Sequence, residues 1–135
     1  MNKKIIRKSA LLLIRDRKIL VTRSYGHDIY LSPGGKPEGN ETDEQALARE
    51  IMEELGAEVD FSVTELYAKY EDAAANDPNA IIQLTLFRGE VIGDIKPSGE
   101  IEEIRWVDSR FDQSRLASII RKSIIPSLVE KGLIN

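Results

Sequence analysis

The sequence predicts an α/β domain with a mixed sheet, and three observations carry that prediction. Stretches rich in Ile, Leu and Val at 5–14, 18–24, 59–70, 80–92 and 101–107 have strand composition and are separated by polar or Gly/Pro-containing breaks. Two other stretches, 42–55 and 114–131, place apolar residues at helical spacings. With a short extended piece at 29–32, the order becomes β-β-β-α-β-β-β-α, which interleaves strands and helices within one unit. At 135 residues the chain is the size of one domain, so residues 1–135 are expected to form a single core.

Each element has its own local reason. Ile5–Ile14 and Lys18–Ser24 flank a polar turn at Arg15–Arg17 and read as a β-hairpin. Ile29–Ser32 runs into Pro33-Gly34-Gly35, a strong break. Thr42 to Leu55 holds no Gly or Pro. Thr42 has the chemistry of an N-cap, with Gln45 three residues on, and Gly56 that of a C-terminal stop. Val59–Tyr70 and Ala80–Ile92 alternate as strands, joined by a loop around Asn76-Asp77-Pro78-Asn79. Ile101–Val107 is a further strand. Ser114 to Lys131 sets Ile119, Ile120, Ile124, Leu128 and Val129 at helical spacings, and Pro126 is expected to kink or split that helix.

Composition removes several function classes. Hydrophobic residues make up 41% and charged ones 31%, enough apolar material for a core. Nineteen basic residues against 23 acidic give a net charge of −4, the wrong balance for stable nucleic-acid binding. The absence of Cys excludes disulfides, thiolate metal sites and a cysteine nucleophile. The longest apolar runs, Ala10–Ile14 and Ala80–Ile82, fall far short of the roughly 20 residues of a membrane helix. The basic start Met1–Lys8 is followed by a short apolar run and then by Arg15-Asp16-Arg17-Lys18, so it reads as a mature terminus and not a signal peptide. A cytoplasmic location is the resulting expectation.

The first helix carries the chemical signal. At about 100° per residue with Glu50 at zero, Glu53 and Glu54 lie at about −60° and +40°, so three carboxylates share one face. Leu47, Ala48, Ile51, Met52 and Leu55 fill the opposite arc, which predicts the core stripe. Arg49 and Glu53 are spaced to pair, and Glu41 stands just before the helix, within reach of Arg49. The like charges are not interleaved with Lys, and they sit toward the C-terminus, where the helix dipole disfavours anions. A self-repelling carboxylate face without His or Cys describes a hard oxygen site for Mg²⁺ or Mn²⁺.

Gly35, Glu41, Arg49, Glu50, Ile51, Glu53, Glu54 and Gly56 stand in the register Gly-x5-Glu-x7-Arg-Glu-U-x-Glu-Glu-x-Gly-U, where U is a bulky aliphatic residue. This pattern resembles the Nudix box over residues 35–57, departing from it only at Ala57, the last aliphatic position. The order of elements is similar to the Nudix α/β/α sandwich with a mixed, curved β-sheet over nearly the whole chain.

The resemblance implies hydrolysis of a nucleoside diphosphate linked to another moiety, by water attack on phosphorus assisted by Mg²⁺ or Mn²⁺. The charges agree with it, since an acidic site holds an anionic polyphosphate only through cations that invert the local sign. By resemblance, Glu50 and Glu54 are metal ligands, Glu53 is a further ligand or orients the water, and Gly34 lends its carbonyl to the metal. Gly35, Glu41 and Arg49 support the site, the last two as a loop-to-helix ion pair. The base is Glu53 or a glutamate of Gly99-Glu100-Ile101-Glu102-Glu103, where the loop-borne Glu100 is favoured over Glu103. Arg23, ending the second strand, resembles the basic residue with which MutT-like relatives contact phosphate, and Lys36 is a second candidate. His27 reads as an exposed loop residue, while Tyr25, Tyr30, Tyr70 and Trp106 read as core, rim or base-stacking aromatics.

Substrate markers mostly argue by absence. Tyr70-Glu71-Asp72-Ala73-Ala74 lacks the proline of ADP-ribose hydrolases, Tyr70 comes too early for the tyrosine of dinucleoside-polyphosphate hydrolases, and Ser32 stands where MutT has a base-pocket aromatic. The default expectation is a nucleoside triphosphate, oxidised or not. The alternatives are a hydrolase of ADP-ribose, nucleotide sugars or dinucleoside polyphosphates, or a non-catalytic domain sensing a nucleotide or ADP-ribose. A nucleotide-type small molecule is the partner expected, and the protein is a monomer or a homodimer.

Overall fold

In the computed structural model, which describes residues 3–74 and 77–135, the apolar run Ala10–Leu13 is buried on both faces. That burial follows from its place in the middle of a layered fold. Strand β1 (Lys4–Leu12) pairs in parallel with β6 (Ala80–Ile92), which pairs antiparallel with β5 (Glu58–Ala73). On its other side β1 takes the two-residue strand β4 (Gly34–Gly35), in the register Ser9 with Gly35 and Ala10 with Gly34. The result is a mixed sheet ordered β4-β1-β6-β5. A second, antiparallel sheet is ordered β2-β3-β7, from Ile14–Arg15, Lys18–Ser24 and Ile101–Val107.

The single strand expected over 5–14 is therefore divided. The chain leaves the first sheet after Leu12 and enters the second at Ile14, with Leu13 fully buried at the crossing. The hairpin is present, with its turn narrowed to Asp16 and Arg17, whose φ values of 51° and 62° suit the two-residue turn that follows strand twist. Tyr30 and Leu31 make only isolated bridges, to Leu116 and Thr22. Of the loop expected at 76–79, Asn76 lies outside the described residues, and the Asp77 carboxylate accepts the Asn79 N–H at 2.9 Å.

Period-2 alternation assigns the two faces. Leu11, Leu13, Leu20 and Phe87 pack with Leu47, Ile51 and Leu55 of helix α1 (Asp43–Leu55). Ala10, Leu12, Ile19, Val21, Leu84 and Leu86 pack with Ile120, Ile124, Ile125 and Leu128 near the C-terminus. Sheets between two helical layers give the α/β architecture the sequence predicts.

Helix α1 starts as expected. Thr42 caps it, its hydroxyl accepting the Gln45 N–H while the Gln45 side chain accepts the Thr42 N–H, and Gly56 closes it with φ 65°. The core stripe is rotated from the expected arc. Ala46, Leu47, Ile51 and Leu55 are buried, whereas Met52 is 49% exposed. The rotation carries the line of Glu50 and Glu54 onto the edge of the buried half, because the helix packs against β1 and β4 as well as β5.

The C-terminal helix expected over Ser114–Lys131 is not continuous. Gln113–Arg115 form one 3₁₀ turn capped by Asp112, and Leu116 is extended, bridging Tyr30. Helix then runs over 118–130 as a π turn at Ile120–Ile124 followed by α2 (Ile125–Glu130). Pro126 supplies no N–H and its ring crowds the preceding turn, and the wider π turn absorbs that conflict. Among the described residues no helix is long and apolar enough to cross a membrane.

Candidate active site

The loop before α1 is held by one arginine. Arg49 donates Nε and Nη2 to the two oxygens of Glu41 at 2.9 and 3.0 Å, a two-pronged ion pair, and Nη2 also to the Lys36 carbonyl at 3.0 Å. Its Nη1 reaches Glu50 at 2.8 Å and Glu53 at 3.5 Å. Glu41 in turn accepts the Glu38 N–H at 2.7 Å. Arg49 beside it and that N–H hold the Glu41 carboxyl below its ordinary range. Loop and helix are thus locked together, leaving Glu50 and Glu54 beside the glycine strand β4.

Gly34 is required there by the backbone, and Gly35 leaves the Glu50 carboxylate its room. Gly34 adopts φ 146°, and a Cβ on it would collide with the Ser9 carbonyl. A Cβ on Gly35 would meet the Glu50 carboxyl carbon at 2.5 Å. Glu54 accepts the Gly34 N–H at 3.1 Å. Burial pushes the Glu54 carboxyl up to about 8, the Gly34 N–H opposes this, and the neighbouring charges of Glu50 and Glu53 add to it. Two adjacent carboxylates of which one resists ionisation, backed by bare glycine, form a donor set that fits a hard divalent cation. Glu53 is more open, 57% exposed, and leans toward Arg49. Among the described residues, no three acidic or His side chains converge as a finished metal cage.

The segment before β7 closes the far end of α1. Ser98 donates its N–H to the Glu54 carbonyl and Lys96 to the Leu55 carbonyl, each at 3.0 Å, satisfying orphan groups of the last turn. Gly99 lies against Glu53, where a Cβ would stand 3.0 Å from the Glu53 carbonyl oxygen. Glu100 follows, exposed, its carbonyl accepting the Tyr25 N–H. Its carboxylate has no hydrogen-bond partner among the described residues, unlike Glu102 and Glu103.

Those two hold Arg23. The Arg23 guanidinium donates to Glu102 at 2.6 Å, to Glu103 at 3.1 and 3.3 Å, and to the His27 carbonyl at 3.1 Å. Tyr30, fully buried, donates its hydroxyl to Glu103 at 2.8 Å. The Tyr30 hydroxyl, with Arg23 beside it, keeps Glu103 below the usual carboxylate range. Arg23 thus sits in an ion-paired cluster across β3 and β7.

Behind β4, on the sheet face of Ala10 and Leu84, opens a cleft of about 1020 Å³. Ile6, Ile82 and Leu84 line it from the sheet and Leu116 and Ile119 from the C-terminal segment. Gly34, Gly35, Lys36 and Lys8 line the end nearest the carboxylates, and Asp72, Ser118 and Arg121 also face in. His27, exposed as expected, lies at its margin, whereas Tyr25, 63% exposed, does not line it. The structure therefore gathers Gly34, Gly35, Lys36, Glu41, Arg49, Glu50, Glu53 and Glu54 along one side of α1, with Gly99 against Glu53 and Glu100 next to it in sequence. Sequence reading missed Lys8 and the apolar cleft. The signal for Lys8 was its phase on β1, shared with Ile6 and Ala10.

Residues 6–115 match the family model described as NUDIX domain. No curated protein matches the chain. Among solved structures, the E. coli ORF135 protein is 29% identical with a TM-score of 0.70, covering 94% of this chain and 88% of that one. The MutT protein from Methanosarcina mazei Go1 shares the fold at TM-score 0.74 and 19% identity, covering 98% of both chains. A bifunctional NMN adenylyltransferase/ADP ribose pyrophosphatase from Francisella tularensis, complexed with AMP and Mn ion, matches at TM-score 0.65 and 21% identity over 96% of this chain and 42% of that one.

Proposed function

This chain belongs to the Nudix hydrolase family, and we propose that it hydrolyses the diphosphate bond of a nucleotide, with a nucleoside triphosphate as the default substrate and Mg²⁺ or Mn²⁺ as cofactor. The observation that carries the reading is the half-buried Glu54 beside Glu50, against Gly34–Gly35, which line one end of a cleft of nucleotide size. The cation, when bound by Glu50, Glu54 and the Gly34 carbonyl, with Glu53 as a further ligand, supplies neutralisation of phosphate charge. Arg49 and Glu41 fix the backbone around that point, so the carboxylates meet the substrate already oriented. Lys36, at the end of the cleft beside Gly35, contacts phosphate. Glu53 in the last turn of α1 and Glu100, next in sequence to the Gly99 that lies against Glu53, are both exposed and are the candidates to take the proton of the attacking water. The apolar cleft receives the nucleoside, and no Phe, Tyr or Trp stands among its described lining residues to stack on the base. The relative bound to AMP and Mn ion supports including Mn²⁺ in the assay.

The test is product analysis over a panel of nucleoside triphosphates, oxidised and not, ADP-ribose, dinucleoside polyphosphates and nucleotide sugars, with and without added Mg²⁺ or Mn²⁺. One substrate cleaved far above the others, and only with metal, is the expected result. Nucleotide binding without turnover across the panel would replace hydrolysis by sensing.

A further inference from the structure

The glycine strand β4 is an edge where two faces of the sheet meet. Arg7 and Ser9 of β1 point to the α1 side: Arg7 donates to the Asp43 carboxylate at 2.7 Å and Ser9 to the Asp43 carbonyl at 2.9 Å. Lys8, between them in sequence, points to the opposite face and lines the cleft with Ile6 and Leu84. Ser9 and Ala10 pair with Gly35 and Gly34, so Lys8 stands one residue from the edge under which Glu50 and Glu54 lie. Because β4 has no side chains, nothing at that edge walls off the carboxylates on one face from the lysines on the other.

Lys8 is half-buried over an apolar floor, and among the described residues its ammonium has neither hydrogen bond nor ion pair. Lys36 lines the same end of the cleft and is likewise unpaired among the described residues. A partly desolvated ammonium facing a like charge is unfavourable unless an anion comes between them. Arg7 has Asp43, and Arg23 has Glu102 and Glu103. Among the described residues, the cations at the glycine edge with no carboxylate at ion-pair distance are Lys8 and Lys36, and of the two Lys8 is the half-buried one.

We infer that Lys8 is a substrate-binding residue: with Lys36 it grips the phosphate chain from the cleft side, opposite the carboxylates, doing the work that the sequence assigns to Arg23. This rests on the hydrolase reading above, which it deepens by naming the grip. The phosphate chain crosses the sheet edge at Gly34–Gly35, with lysines on one side and the glutamates on the other.

The test compares Lys8→Gln and Lys8→Arg with Arg7→Gln, a neighbouring charge on the other face. Loss of grip should raise KM at least about tenfold in Lys8→Gln with kcat changed far less, and Lys8→Arg should recover most of the loss. Arg7→Gln should keep the wild-type KM. In parallel, inorganic pyrophosphate with Mg²⁺ should raise the melting temperature of the wild type and do so less for Lys8→Gln. That arm needs no turnover, so it tests Lys8 even if the hydrolase reading fails. Turnover that needs Glu54 but has an unchanged KM in Lys8→Gln, or equal stabilisation of both proteins by pyrophosphate, overturns the inference and leaves the hydrolase reading standing. Absence of turnover of every nucleotide by the wild type overturns the hydrolase reading instead, and the pyrophosphate arm then decides Lys8 alone.

Discussion

The backbone N–H of Gly34 donates to the Glu54 carboxylate at 3.1 Å, joining the edge of the sheet to the last turn of the helix that packs on it. One hydrogen bond thus connects the cleft to the acidic face, and it opposes the burial and the two like charges that act on Glu54. The rest of the site is arranged to keep that junction in place.

Glu54→Gln should remove activity and leave the fold intact. The amide keeps the volume and the acceptor for Gly34 but carries no charge, so metal-dependent turnover should fall by more than about 100-fold. Its melting temperature without metal should equal or exceed that of the wild type, since a group that resists ionisation has been replaced by a neutral one. Steady-state kinetics and thermal melting check both halves.

The stability of metal-free protein should depend on pH in a stated direction. Folding raises the Glu54 carboxyl from 4.5 to about 8, so between those values the folded protein holds a proton that the unfolded chain releases. Stability therefore falls as pH rises through that window, by an amount on the order of a few kcal/mol. Glu54→Gln should flatten the slope. Mg²⁺ should raise the melting temperature more at pH 8 than at pH 6, and equal stabilisation at the two would contradict the assignment.

Arg49→Lys should behave unlike a conservative change. Lysine keeps the charge but cannot reach both Glu41 oxygens, the Lys36 carbonyl and Glu50 from one planar group. A drop in kcat of about 10-fold or more is expected, as for other groups that orient metal ligands. Wild-type kinetics in this variant would remove the fork from the account.

Gly35→Ala probes the space beside Glu50. The new methyl would stand 2.5 Å from the Glu50 carboxyl carbon, so the carboxylate has to move. Metal affinity measured by calorimetry should weaken, while circular dichroism stays that of the wild type. Unchanged affinity would mean that Glu50 is not held where the geometry puts it.

Glu53→Gln and Glu100→Gln separate the two candidates for the base. The one that takes the proton should lose kcat with its metal affinity retained, and the other should keep most of its kcat or lose metal binding first. Metal titrations alongside kcat–pH profiles of the two variants read the difference.

Much of this was legible in the sequence, for local reasons. Thr42, Gln45 and Gly56 mark the ends of α1 through interactions within a few residues of themselves. The spacing of Glu41, Arg49, Glu50 and Glu54 needs only helix periodicity and one preceding loop. What was not legible depended on tertiary packing. The crossing at Leu13 arises because two sheets share one long strand, which composition does not record. Helix periodicity alone puts Met52 in the core because it carries no knowledge of β4, whose lack of side chains draws the helix toward Glu50 and Glu54. The engagement of Arg23 requires β7 beside β3, and the exposure of Lys8 to the cleft requires β1 beside β4 and β6. Pro126 marks a break in the sequence, but the π turn that accommodates it follows from packing at Ile120 and Ile124.

The most direct test of the central claim is Mn²⁺ binding at pH 8, followed by the loss of the free-ion electron paramagnetic resonance signal in wild type and Glu54→Gln. The wild type should bind the ion and the variant should lose most of that binding. Equal binding by the two proteins would contradict the assignment of Glu54, and with it the placing of the chemistry under the Gly34–Gly35 edge.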